Sequence, residues 1–270
     1  MATIPGGSPP SRGMSPAPKL HILPLNALNS KSEFIVQTSA TTHAPPALIH
    51  GVWSTLSLLA SRSTSLLYAP THFTLAASLG GNRAELASHT LSFLEELTRA
   101  SYEVASTLLC SSVLAGRTSE SDEYGDVGLW IGDLKHRTAA DVLKRLGLDS
   151  WLRQGAKVGP GSHLFFTSPQ RLILFQIVSD PVSPSPLPGA VTSTQGYVSS
   201  PSETPQIHIE ALSQLLSNLE SPFEFRVEGL SGGHVIYFLC GKLSHTRGGF
   251  AQDEGYAGLV GVGVSADLDE

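Results

Sequence analysis

The chain has 270 residues and a mass of 28.5 kDa, with 41% apolar residues and a mean hydropathy of +0.06. That is enough to bury the core of one large domain or two small ones, and it excludes a wholly disordered chain. Acidic residues outnumber basic ones by 23 to 17, for a formal charge of −6. With no basic surplus to neutralise phosphates or coat an anionic surface, neither nucleic acid nor membrane is an expected partner.

No run approaches the roughly 18 consecutive apolar residues that a membrane-spanning helix needs, so a soluble protein is expected. Cys110 and Cys240 both lie in apolar runs. They read as buried thiols of a reducing compartment and not as a disulfide, which places the protein in the cytoplasm. Residues 1–32 are rich in Ser and Pro and lack acidic residues, which suits a disordered tail. The alternative is a mitochondrial transit peptide, but six prolines between Pro5 and Pro24 would interrupt its amphipathic helix.

The folded part is expected to span 33–270. Residues 33–38 suit a first strand, and Leu48, Val52, Leu56 and Leu59 at helical spacing predict a helix over 47–61. Residues 65–69, closed by Pro70, form a compact apolar run expected as a buried strand. Asn82 with Glu85 three residues on marks a helix start, continued by Ala87, Leu91, Leu94 and Leu97 to about Ala100. Residues 106–110 (STLLC) then read as another buried strand. The acidic loop 117–126 precedes a strand at 127–134.

Thr138, with Asp141 at the third position, caps a helix carrying Ala139, Val142, Leu143 and Leu146 on one stripe, which Gly147 ends. Strands are expected at 163–167 and 171–178 around a Ser168-Pro169-Gln170 turn. From 180 to 206, six prolines and many Ser and Thr suggest a flexible insertion. Leu212, Leu215, Leu216 and Leu219 mark a helix, followed by strands at 223–228, 234–240 and 257–264. The fold class is therefore α/β or α+β, with mixed sheets flanked by helices. A strand-helix-strand-connection-strand order over 65–134 and again over 171–264 suggests an internal duplication.

The sharpest enzyme-like motif is G-x-S-x-G at 229–233, the pattern of a nucleophile elbow with Ser231 as nucleophile. An elbow must lead from strand into helix, whereas a strand-like run follows here, so a tight glycine turn is the expected reading. Cys110, at a strand end, is a second nucleophile candidate, but it needs a nearby base, with His72 and His89 closest in sequence. The ten histidines form no H-x-x-x-H pair and no C-x-x-C accompanies them, so no metal and no cofactor is expected. Gly80 and Gly81 ahead of a helix read as a simple loop, and Glu120, Asp122, Glu123 and Asp126 as a solvated acidic face in preference to a cation site.

Several segments in order resemble the N-terminal FIST domain, a sensory, ligand-binding module of bacterial signalling proteins and of an F-box protein of the ubiquitin system. SLLYAPTHF at 65–73 is similar to its early strand and proline turn. STLLCSSVLAG at 106–116 is similar to its Gly-Cys-Ser strand, with Cys110, Ser111 and Gly116 matching and Leu109 replacing the glycine. VGLWIGDL at 127–134, IVSDP at 177–181, VEGLSGG at 227–233, VIYFLCGK at 235–242 and GYAGLVGVGVSADL at 255–268 resemble later strands and turns. The 180–206 segment is longer than the pattern, and neither an F-box nor a C-terminal FIST partner domain is recognisable. The resemblance implies a non-enzymatic sensory domain that binds a small polar ligand or a signalling or ubiquitin-pathway protein.

The small polar residues after buried strands, Cys110, Ser111, Gly229, Ser231 and Gly232, are the expected lining of one shared ligand site. The alternative is a serine or cysteine hydrolase using Ser231 or Cys110.

Overall fold

A computed structural model describes residues 23–24, 44–60, 63, 65–79, 86–116, 119–160, 165–168, 171–173, 204–243 and 254–265. Its main sheet has eight strands: β1 (Leu23–Pro24), β2 (Leu66–Ala69), β3 (Thr74–Ala77), β4 (Val127–Gly132), β5 (Lys157–Pro160), β8 (Leu219–Glu228), β9 (His234–Leu243) and β10 (Gly255–Val264). They lie in the order β1-β2-β3-β4-β10-β9-β8-β5. β6 (Phe165–Ser168) and β7 (Arg171–Ile173) form a separate antiparallel hairpin. The fold is α/β with a mixed sheet, as expected.

Helices cover both faces. On one lie α1 (Pro46–Ala60), α3 (Ala139–Arg145) and the single turn α4 (Ser150–Arg153); on the other lie α2 (Ser88–Thr107) and α5 (Thr204–Leu216). Strand alternation feeds the two cores. Val127, Leu129 and Ile131 of β4 face α1, while Trp130 faces α2. Likewise Val260 and Val262 of β10 go one way, Ala257 and Leu259 the other.

The helix over 47–61 is found as α1, buried along Leu48, Val52, Leu56 and Leu59. Thr138 caps α3 by accepting the Asp141 N–H at 3.2 Å, and Gly147 closes it with φ +69°. The strands expected at 65–69, 127–134, 223–228, 234–240 and 257–264 are present with shifted ends. Leu219 begins β8 and does not belong to the helix before it, and α5 starts at Thr204, inside the expected insertion. Leu23 and Pro24, within the expected tail, add to the sheet edge beside Leu67 and Tyr68. The strand at 33–38, the loop at Gly80 and Gly81, the helix start at Asn82 and most of 180–206 lie outside the described residues.

The strand expected at 106–110 is overturned. Residues 106–110 are not a strand, because α2 runs on through Thr107 and ends in a Schellman cap. The Leu109 N–H reaches the Ser106 carbonyl at 3.4 Å and the Cys110 N–H reaches the Ala105 carbonyl at 3.0 Å, with Leu109 left-handed at φ +55°. The apolar run that suggested a strand is the buried helix face continuing through Leu97, Val104, Ala105 and Leu108.

The duplication fails with it. In the first half β2 and β3 form a hairpin, and α2 then carries the chain to β4, parallel to β3. In the second half α5 leads into the antiparallel meander β8-β9-β10.

The crossover is held by one hydroxyl. Thr98 of α2 accepts the Gly128 N–H of β4 at 2.8 Å, and its own proton is shared between the Leu94 carbonyl at 2.9 Å and the Phe73 carbonyl at 3.1 Å. A side chain at Gly128 would run into the Leu94 carbonyl, so glycine there lets the helix lie on the strand. Among the described residues no helix is long and apolar enough to cross a membrane.

Candidate functional site

The start of β4, the end of β10 and the β8-β9 turn lie at one end of the sheet, since Val127 pairs with Val260 and Val264 with His234. Two loops converge there: residues 110–116 after α2, and residues 119–126 before β4. Their junction is Asp126. Its carboxylate accepts the Ser112 hydroxyl at 2.6 Å and the Val113 N–H at 2.6 Å, while the Ala115 N–H donates to Ser112 Oγ at 3.1 Å. Burial raises the Asp126 pKa to about 6, even though the Ser112 hydroxyl and the N–H groups of Val113 and Leu114 pull it down. Gly261 of β10 makes room for this pair, since a Cβ there would overlap the carboxylate and sit 2.7 Å from Ser112 Oγ.

The second loop is fixed to four neighbours. Its Gly125 N–H donates to the Gly51 carbonyl of α1 at 3.1 Å, and the Thr55 hydroxyl donates to the Gly125 carbonyl at 2.7 Å. Gly51 and Gly125 touch backbone to backbone: a Cβ on Gly51 would lie 3.1 Å from Gly125 Cα. Ser111 Oγ donates to the Ser121 carbonyl at 3.0 Å, and the Val264 N–H donates to Ser119 Oγ at 3.2 Å. Finally the Tyr124 hydroxyl meets His234 Nε2 at 2.9 Å, while His234 Nδ1 lies 2.8 Å from the Ser231 carbonyl. A carbonyl can only accept, so Nδ1 carries a proton and, in the neutral ring, Nε2 accepts from Tyr124.

Between these loops and the helices opens a cleft of about 350 Å³. Ala47, Leu48, Gly51 and Val52 of α1 make one wall. The last turns of α2, with Tyr102 and Ser106, and the cap residues Leu109, Cys110 and Ser111 make the other. Asp122, Gly125 and Asp126 complete the lining. Leu109 is 86% exposed and Cys110 half-buried, so the thiol expected to be buried borders the cleft, whereas Cys240 is buried in the core as expected. Asp126, read from sequence as part of a solvated acidic face, is buried.

Of the five expected lining residues, Cys110 and Ser111 border this cleft. Gly229, Ser231 and Gly232 sit in the β8-β9 turn at the same end of the sheet, joined to the cleft loop through the Tyr124–His234 contact but outside its lining. Gly229, Gly232 and Gly233 are all left-handed, with φ between +67° and +80°, and the G-x-S-x-G motif is a hairpin turn leading into strand β9. It lacks the strand-to-helix geometry of a nucleophile elbow. His234, three residues after Ser231, places its ring nitrogens on the Ser231 carbonyl and the Tyr124 hydroxyl.

Among the described residues, no histidine, lysine or arginine lines the cleft near Cys110. His72 instead lies 2.7 Å from the Thr71 hydroxyl and 3.9 Å from Glu95, and His89 is 3.3 Å from the Thr90 hydroxyl. Among the described residues no group of His, Cys, Asp and Glu could hold a metal ion.

Tyr102, Ser106 and the α1 wall were not legible as site residues, because tertiary packing alone brings them to the cleft. One signal was available: an isolated glycine inside a helical pattern, Gly51, marks a close backbone approach.

No family model matches the chain, and no match was found among the curated proteins or the solved structures.

Proposed function

We propose that the chain is a non-enzymatic sensory domain whose small-molecule ligand occupies the cleft between α1, the end of α2 and the 119–126 loop. The observation that carries this reading is the cleft's construction. A buried, hydrogen-bonded carboxylate, a left-handed helix cap and a glycine-glycine contact all hold a concave surface open between the helices and the loop that enters β4.

The resemblance to the FIST N-terminal domain supports it. The pattern's Gly-Cys-Ser falls on Leu109, Cys110 and Ser111, and residue 109 has the backbone conformation that a glycine serves. Ligand contact with Asp122 or Gly125 would be felt at the β8-β9 turn through Tyr124 and His234, a route by which occupancy could reach a signalling or ubiquitin-pathway partner.

A hydrolase is less well supported, since the described lining brings no histidine to Cys110 and Ser231 lies in a hairpin turn. The test pairs thermal-shift screening of a small-molecule library with fluorophosphonate and iodoacetamide labelling. Hits whose shifts vanish in Ala47→Trp, a change that fills the cleft, are expected. Labelling confined to folded protein and specific for Ser231 or Cys110 would favour the hydrolase.

A further inference from the structure

We propose that the ligand of this cleft is a small organic cation, an ammonium or amidinium group on an apolar body of about one ring. The proposal rests on the cleft being the binding site. Among the described residues of the lining, both charged groups, Asp122 and Asp126, are carboxylates, and no basic side chain accompanies them.

Asp126 is the informative one. It is buried, and its donors are the neutral Ser112 hydroxyl and the N–H groups of Val113 and Leu114. A carboxylate offers about four acceptor positions, so three donors leave one, and none of the three brings a countercharge. A cationic N–H donor supplies both. An anion would instead face two like charges, one of them in a low-dielectric setting where repulsion is strong.

The backbone adds to this field. α2 is twenty residues long, and its C-terminal turn, from Ser106 to the cap at Leu109, lines the cleft with the negative end of the helix dipole. Tyr102 offers an aromatic ring to a cation, and Leu48, Val52 and Leu109 supply apolar wall for the rest of the molecule. The volume, about 350 Å³, is near the lower end for ligand pockets and limits that body to a small one.

The experiment titrates the ¹⁵N-labelled full chain with benzamidine, benzamide and benzoate, which share a shape and differ in charge, and with their cyclohexyl counterparts. The amides of Gly51, Gly125 and Asp126 are expected to shift with the amidines at least tenfold more tightly than with the amides, and not with the carboxylates. Asp122→Asn, at an exposed position, is expected to reduce that preference several-fold without altering the rest of the spectrum. Equal or tighter binding of benzamide or benzoate at these amides would overturn the cationic class while leaving the cleft as the site. Silence at these amides from all six compounds would overturn both.

Discussion

Leu109 and Gly147 occupy the same position of the same motif. Each is the left-handed residue of a Schellman cap, at φ +55° and +69°. Glycine adopts that conformation freely, whereas a leucine carries a steric cost of roughly 1–2 kcal/mol. Since the Leu109 side chain is 86% exposed, little packing offsets the cost. Leu109→Gly is therefore expected to stabilise the protein by about 1 kcal/mol, raising the melting temperature by roughly 2–4 °C in a calorimetric scan. No change or a fall would mean that the leucine's contacts at the cleft rim outweigh its strain.

Asp126 makes a prediction of a different kind. Its folded pKa of about 6 lies above the roughly 3.9 of an unfolded aspartate, so folding favours the protonated carboxyl. That contribution is fully present below about pH 4 and disappears as the pH rises through about 6. His72 acts oppositely: burial lowers its pKa despite Glu95, so its contribution is present above about 6.5 and fades on acidification. Comparison with Asp126→Asn isolates the aspartate, because His72 is common to both proteins. The wild type's urea midpoint, relative to that of the variant, is expected to be higher at pH 5 than at pH 7.5. A pH-independent difference would show that Asp126 titrates as an ordinary exposed carboxylate.

Among the elements, α2 does most to organise the N-terminal half, and Thr98 is its point of attachment. Thr98→Val keeps the shape and removes the hydroxyl, leaving the buried Gly128 N–H without its acceptor. A cost of about 2 kcal/mol is expected, with faster hydrogen exchange at the Gly128 amide. If the amide stays as protected as before, the parallel pairing of β3 and β4 does not depend on this contact.

The same helix shows where sequence reading succeeds and fails. Its interior was legible because Leu91, Leu94 and Leu97 recur at helical spacing. Its end was not, because the stop signal expected at a helix terminus is glycine and this cap holds leucine. α3 was read correctly at both ends, since Thr138 and Gly147 are ordinary cap residues. β3 escaped notice because it is four residues long and half alanine, a residue of low strand preference that close packing from both helical layers demands there. In the cleft, Cys110 and Ser111 could be named because they end an apolar run. Asp126 was grouped with exposed acids because its burial arises from Gly261 and Ser112, partners that only the fold brings near.

At the scale of the whole molecule the two thiols report on different things. Cys240 faces the core from β9, and burial pushes its pKa far up, whereas Cys110 is partly exposed beside the cleft. Titration with a disulfide reagent is expected to find one reactive thiol in the native protein and two in urea, with reaction of the second tracking global unfolding. Two fast thiols under native conditions would indicate that the meander opens separately from the rest.

The sheet itself has a seam. Among the described strands, β4 and its N-terminal neighbours join β9, β8 and β5 through β10, so Val127 must wait for Val260. On a ribosome, the half-sheet already synthesised would emerge with a bare hydrogen-bonding flank, and only the arrival of residues 255–264 could zip the two parts together. Closing the sheet is thus a late step that joins strands far apart in the sequence, a pairing whose loop-closure entropy slows folding.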